Sequence, residues 1–187
     1  MPQTNTGNRR SKNIPKIKRM AKIGIFTAIL ALLSQIAIPL PGGVPVTLQT
    51  FAVCLCGYFL GKKDGLCSLC VYVMLGICGA PVFTGFSGGF YHFLGGTGGF
   101  IIGFIILAFL CGMGITENEN PIAAIGCGIA GIAVCHLFGV LWFAYVSKSG
   151  LMAAFLAASA GFIIKDIFSC VAAYAIYRAI PAQIIKK

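Results

Sequence analysis

Residues Val44–Phe104 read VPVTLQTFAVCLCGYFLGKKDGLCSLCVYVMLGICGAPVFTGFSGGFYHFLGGTGGFIIGF, and this stretch decides the fold. It holds two short apolar segments, a glycine-crowded loop and a third apolar segment. The loop, 79–99, carries eight glycines in 21 residues, with Thr84, Ser87, Tyr91, His92 and Thr97 among them. Irregular backbone beside membrane spans is tolerated only where it is buried in protein or lines a cavity, because lipid offers its N–H and C=O groups no partner. A cavity here is a ligand site. A packed re-entrant loop with no ligand contact is the alternative.

Composition places the chain in a bilayer. Of its 187 residues, 58% are hydrophobic and 10% charged, against about 25% charged in soluble domains. At ~20 residues per span, roughly six spans fit, with no room for a soluble catalytic domain. The expected fold is an all-α integral membrane protein of about six transmembrane helices. Residues 1–19 form a basic cytoplasmic segment, 20–180 the six-helix domain and 181–187 a cytoplasmic tail. The net charge of +10 is not a nucleic-acid signal, since Arg9, Arg10, Lys12, Lys16, Lys18, Arg19 and Lys22 cluster ahead of the first apolar run. Such a cluster fits anionic cytoplasmic lipid. No small-residue cleavage site precedes Pro39–Pro45, so a retained N-terminus is expected.

The spans read as 20–38, 47–60, 66–78, 99–114, 122–146 and 161–180. Pro39 and Pro41 end the first, Gly61-Lys62-Lys63-Asp64-Gly65 separates the second and third, and Thr116–Pro121 breaks the fourth from the fifth. The second and third are short for a ~30 Å core. Either the adjoining loops lie at membrane depth or these helices extend into residues read as loop. Residues 148–160 read as a short connection. With the N-terminus inside, inner segments hold 12 Lys/Arg and outer loops one, Lys148. That bias puts both termini in the cytoplasm and the glycine loop outside. Glu117 and Glu119 fall on the inner side, where acids count little.

All nine cysteines fall inside predicted spans. Cys67 and Cys70 form a CxxC, but no second pair at zinc spacing follows. They read as small buried hydrophobes, with no metal site and no cofactor.

Few residues carry chemistry. Lys165 and Asp166 are the charged pair inside a span, where ionisable groups face a cavity or a partner. Neighbours on a helix point ~100° apart, so separate partners are expected for the two, against a self-neutralising interfacial pair. Thr47 suits a helix cap. Gln49, an amide in an apolar span, needs partners. Loop N–H groups, at Gly88 and Gly89 among others, suit a carboxylate, since glycine permits close backbone approach. Phe83, Phe86, Tyr91 and Phe93 suit cavity walls, with Tyr72 a further candidate and His92 a polar contact. His136 in span 5 reads as a packed, hydrogen-bonded histidine. Gly24, Ala28 and Ala31 on span 1 make a small-residue face that lets a second helix approach, from within or from a partner. There is no GxxxxGK[ST], so the chain hydrolyses no nucleotide by that route.

The pieces VPVTLQTFAV, GAPVFTGFSGG and GGTGGFIIGF resemble the BioY family, the substrate-binding subunits of energy-coupling-factor biotin transporters. The resemblance covers nearly the whole chain. It implies a biotin-binding subunit of the bacterial plasma membrane without catalysis, working with a transmembrane coupling subunit and ABC-type ATPase subunits. It assigns Gln49 of the TLQT run to ligand, with Thr47, Tyr72, Phe83, Thr84, Ser87, Gly88, Gly89, Tyr91 and His92 around it. GFIIKDIF matches the start of the last helix, where many members carry proline-glycine-aspartate. Here Gly161 and Phe162 remain without the proline. The resemblance thereby gives Asp166 to biotin's ureido N–H groups and Lys165 or Gln49 to its carboxylate. It also favours docking of the coupling subunit on the Gly24, Ala28 and Ala31 face.

One enzyme reading competes. Gly85-Phe86-Ser87-Gly88 is a GxSG, and a Ser87 nucleophile with a His136 base resembles a rhomboid-type intramembrane protease. The first outer loop, Pro39–Val46, lacks the Trp-Arg signature of that family.

Overall fold

The computed structural model describes residues 6–38, 44–116 and 120–181, with side chains from 16 onward except at 116. Pro39, Pro41, Glu117, Glu119, the first five residues and the tail from 182 fall outside these, as do the side chains of Arg9, Arg10 and Lys12. The described residues are mostly helical: α1 Thr6–Ser34, α2 Gln49–Ile77, α3 Tyr91–Leu94, α4 Gly98–Thr116, α5 Pro121–Ser147, α6 Leu151–Phe155 and α7 Ile163–Ala179. A π-helical turn, Leu156–Ala160, continues α6.

α2 is a hairpin. Gly61 breaks it at φ 75°, ψ 176°, a conformation that glycine adopts without a Cβ penalty. The chain then folds back: Gln49 bonds Tyr72 at 2.9 Å, and Ser68 lies 3.8 Å from Cys56. These are contacts of antiparallel arms, far beyond reach along one straight helix. Lys62-Lys63-Asp64-Gly65, expected as turn, is helical and lengthens the second arm. Arg19 on α1 holds Asp64 there, Nε to Oδ1 at 2.7 Å.

Other boundaries differ from expectation. α1 stops at Ser34, and Ala37–Ile38 forms a two-residue strand β1 against β2, Val46–Thr47, pairing Ala37 with Thr47 and Ile38 with Val46. The first span therefore does not reach Ile38 as helix, and the fold is not wholly α. Among the described residues α4 and α5 are long and apolar enough to cross a membrane; α6 with its π turn and α7, bent by 40°, make a third if counted as one span. Every 18-residue window of α1 or α2 contains three charges (Lys18, Arg19 and Lys22; Lys62, Lys63 and Asp64) or more, so composition alone does not select them.

Glycines let the helices meet backbone to backbone. A Cβ at Gly57 would sit 2.5 Å from the Ala108 carbonyl on α4, and one at Gly103 would sit 2.6 Å from Cys135 Cα on α5. Close approach of this kind drives packing where lipid is as apolar as Leu. The interior holds Leu30, Val53, Leu69, Tyr72 and Leu107 beside Cys54, Cys111 and Cys170. Those three sulfurs, from α2, α4 and α7, lie within 4.8 Å of one another. Cys170 Sγ is 3.1 Å from Tyr58 Oη, which donates to the Ala124 carbonyl at 3.3 Å. Cys67, Cys70 and Cys78 are exposed, so the reading of every cysteine as buried fails for these three. The outer surface is apolar, with Met20, Ile122, Leu141, Ile164 and Phe168 exposed, while Gln49, His136, Ser159 and Asp166 are buried.

Gly57→Ala is expected to force α2 off α4, because the colliding partner is a carbonyl of the backbone. The cost is ~1–3 kcal/mol, read as a lower Tm in detergent micelles. Gly126→Ala, whose Cβ meets nothing within 4 Å, is the control and should not lower Tm.

Candidate functional site

The site begins at one carboxylate. α7 buries a stripe, Asp166, Ser169, Cys170, Ala173 and Tyr174, spaced as one helix face. That stripe carries Asp166 inward at 6% exposure. Its Oδ2 lies 3.0 Å from His136 Nε2, and His136 Nδ1 lies 2.7 Å from Ser159 Oγ. Lys165 ion-pairs with Oδ1, so both oxygens of the carboxylate have a partner. Lys165 Nζ also donates to the Thr47 carbonyl at 2.9 Å. The expectation that the two charges could not pair is thus corrected. The four-carbon lysine stem curls back over its neighbour, which Cα direction alone does not reveal. Each also has the separate partner expected of it.

Beside this pair lies a cavity of about 360 Å³, within the ~300–1,000 Å³ range of small-molecule sites. Of the expected residues, Thr47, Gln49, Phe83, Thr84, His92, Lys165 and Asp166 line it. The remaining wall is Val44, Pro45, Thr50, Gly95, Gly96, Thr97, Phe100, Ile101, Phe104, Cys135, His136, Ala158 and Phe162. Thr97, just ahead of α4, and Phe100, Ile101 and Phe104 on it stand at i, i+3, i+4 and i+7, a helical-face signal present in the sequence.

Seven expected residues do not line it. Tyr72 stands behind Gln49, accepting from its amide at 2.9 Å and donating to the Val82 carbonyl at 3.0 Å. Ser87 Oγ donates to Thr84 O at 2.6 Å. Gly89 N donates to Gly76 O at 2.6 Å, and Gly88 packs directly on Ala80. Tyr91 is 64% exposed, its ring 4.2 Å from that of His92. The glycine loop spends these groups on its own closure. Phe86, at 74% exposure, and Phe93, packed on the core, also leave the wall to α4 and α7.

The loop is anchored from α1, which the sequence did not disclose. Ser34 Oγ at 2.6 Å and Gln35 Nε2 at 3.1 Å converge with Tyr72 on the Val82 carbonyl, and Phe86 N donates to Gln35 Oε1 at 2.7 Å. On the far side Trp142 Nε1 donates to Gly95 O at 2.9 Å. Gly24 and Ala28 are exposed on α1, and a Cβ at Gly24 would meet nothing within 4 Å. Ala31 instead packs against the core, so it leaves the expected docking face.

The BioY family profile matches residues 5–186. The chain belongs to the BioY family. It is 42% identical over 124 residues to the "Biotin transporter BioY" of Thermotoga maritima, covering 66% of this chain and 73% of that one. With the "Probable biotin transporter BioY" of Pyrococcus horikoshii it shares 39% over 152 residues, 81% and 89% of the two chains. The crystal structure of an S-component for biotin from an ECF-type ABC transporter superposes with a TM-score of 0.77 at 25% identity over 100% of both chains. BioY proteins are transporter subunits, and this chain is not an enzyme. The protease reading falls with it: Ser87 bonds Thr84, while both nitrogens of His136 bond Ser159 and Asp166.

His92 is the titratable group at the cavity outside the spanning helices. Burial holds its imidazole below the usual value, and its Nε2 has no hydrogen-bond partner among the described residues. The lowered folded-state value means the unfolded chain takes up a proton first. Stability is therefore full above the ordinary histidine value of ~6.5 and falls as the pH drops below it. His92→Gln should flatten the decline of Tm between about pH 6.5 and 5, measured in a pH series of thermal melts.

Proposed function

We infer that this chain is the biotin-binding S component of an ECF-type ABC transporter, capturing biotin outside the cell and delivering it inward with an ATP-driven module. The observation that carries the reading is a buried carboxylate ion-paired with an ammonium on a cavity walled by Phe83, Phe100, Phe104 and Phe162. Biotin's ureido group has N–H donors adjoining a C=O, its bicyclic core is apolar and its tail ends in a carboxylate. Asp166 and Lys165 touch, so they suit adjoining groups on one ligand: the ureido N–H on Asp166 Oδ1 and the ureido C=O on Lys165. The tail then extends towards Thr84, Thr97 and the backbone of Gly95 and Gly96.

On this reading the chain crosses the bilayer six times, through α1, both arms of α2, α4, α5 and α7. The Lys/Arg bias puts both termini in the cytoplasm and the glycine loop outside, in the bacterial plasma membrane. A transmembrane coupling subunit docks on the exposed Gly24–Ala28 face of α1, and ABC-type ATPases supply the energy this chain has no motif to harvest.

Asp166→Asn tests the site. Losing charge assistance costs ~1.5–3 kcal/mol for a bond to a charged group, or about 10- to 150-fold in biotin affinity by calorimetry. Unchanged affinity in the folded variant removes Asp166 from the site. In the same titrations, replacing biotin's carboxylate by an amide should weaken wild type and Lys165→Ala equally. A smaller loss in Lys165→Ala would return the tail to Lys165.

Gly24→Leu with Ala28→Leu should abolish pull-down of the energising module while biotin binding by the isolated subunit survives, since enlarged side chains block close backbone approach. Loss of both activities would mean the face packs internally. Retained docking would move the partner to another surface.

A further inference from the structure

The proposed site uses one oxygen of Asp166, and the structure holds the other. We propose that His136 and Ser159 are positioning residues that lock the Asp166 carboxylate, so that Oδ1 alone is presented to the ligand as the acceptor for a ureido N–H. The proposal rests on the biotin-binding reading and adds a device to it.

The three side chains come from three places in the fold. His136 lies on α5, Ser159 in the π-helical turn and Asp166 on α7. All are buried, at 7%, 0% and 6% exposure. A π turn is an uncommon departure that concentrates at functional sites, and here it delivers the Ser159 hydroxyl 2.7 Å from His136 Nδ1. Carboxylates only accept, so His136 Nε2 carries the proton that reaches Asp166 Oδ2 at 3.0 Å. In the neutral ring Nδ1 is then an acceptor and Ser159 O–H donates to it. Ser159 thereby fixes the tautomer that lets His136 donate. The Phe100 ring meets the imidazole edge-on at 5.8 Å between centroids, which holds the ring plane.

The consequence is selective. A free carboxylate can rotate about χ2 and offer either oxygen to Lys165 or to solvent. With Oδ2 held by His136, rotation is restrained, and Oδ1 stays against Lys165, which lines the cavity together with Asp166. Ser159 is fully enclosed and outside the cavity wall, so its role is exerted through His136 rather than on the ligand.

The test compares two amides of different reach. Gln places its amide nitrogen near the position of Nε2; Asn places its own near Nδ1 and falls short of Asp166. Biotin affinity is measured by calorimetry on the full chain in detergent micelles. His136→Gln should stay within about threefold of wild type. His136→Asn should lose about 10- to 100-fold, as for a bond to a charged group, and Ser159→Ala an intermediate amount. A ureido N-methylated biotin should bind wild type far more weakly than biotin does, and the gap should shrink in His136→Asn. A role limited to packing predicts equal losses for Gln and Asn and an unchanged N-methyl gap, and either result overturns the proposal. ¹⁵N spectra of histidine-labelled protein give a readout independent of ligand. The resonance that disappears in His136→Gln should report the neutral Nε2–H tautomer in wild type and tautomer mixing in Ser159→Ala; a pure Nδ1–H ring would overturn the proposal. If wild type binds no biotin, the functional reading fails while the spectra still decide the lock.

Discussion

A carboxylate inside an apolar bundle is the constraint from which the rest follows. Burying Asp166 unpaired would cost several kcal/mol, so every element around it is arranged to supply a partner. α5 brings His136, the π turn brings Ser159 to orient it, and Lys165 reaches over from the adjoining position. Lys165 in turn holds the Thr47 carbonyl, tying the start of α7 to β2 at the entrance to the α2 hairpin. One charged group thus sets the mutual placement of α2, α5 and α7 at the cavity.

Glycine provides the complementary constraint. The cavity exists because the backbone around it is drawn tight elsewhere. Gly57 and Gly103 let α4 press against α2 and α5, which leaves the larger side chains of α4, Phe100 and Phe104, to face the cavity. The loop after α2 closes on itself through Ser87, Gly88 and Gly89 and is pinned by Ser34, Gln35, Tyr72 and Trp142. Its polar groups satisfy its own backbone, as irregular chain within a membrane protein must. What remains for a ligand is its rim, at Thr84, Gly95, Gly96 and Thr97.

Features carried by local sequence were legible. Gln49 and the charged pair stood out because a polar group in an apolar run is costly, and each proves to have partners. The helix spacing was also readable wherever glycine or proline punctuated it. Relations through space were not. Nothing local marks Ser34 or Gln35 as anchors of a loop ~50 residues on, and His136 looked like any packed histidine until Ser159 and Asp166 closed around it. The lysine's return to its neighbour is not legible in the sequence, because direction at Cα ignores a flexible stem. For Ser87, Gly88, Gly89 and Tyr91, an abundance of donors in a glycine-rich loop does not say which are already spent. The face made by Thr97 ahead of α4 and by Phe100, Ile101 and Phe104 on it is readable from periodicity.

The contact between Lys165 and Asp166 has a further bearing on how such a site releases what it binds. Without ligand, the two charges neutralise one another, so the bundle never holds an isolated ion. A ureido group offers a donor to one and an acceptor to the other, exchanging one satisfied arrangement for another. Neither arrangement leaves a buried charge bare, and the free-energy difference between them stays small relative to the cost of breaking the pair outright. On the proposed reading, a ligand offering a donor without an acceptor satisfies Asp166 but leaves Lys165 with the Thr47 carbonyl alone, and an acceptor alone leaves Asp166 with His136 alone. On that reading, selectivity for a paired donor and acceptor arises from the cost of leaving Asp166 without its partner, and it coexists with release because the pair re-forms as the ligand leaves.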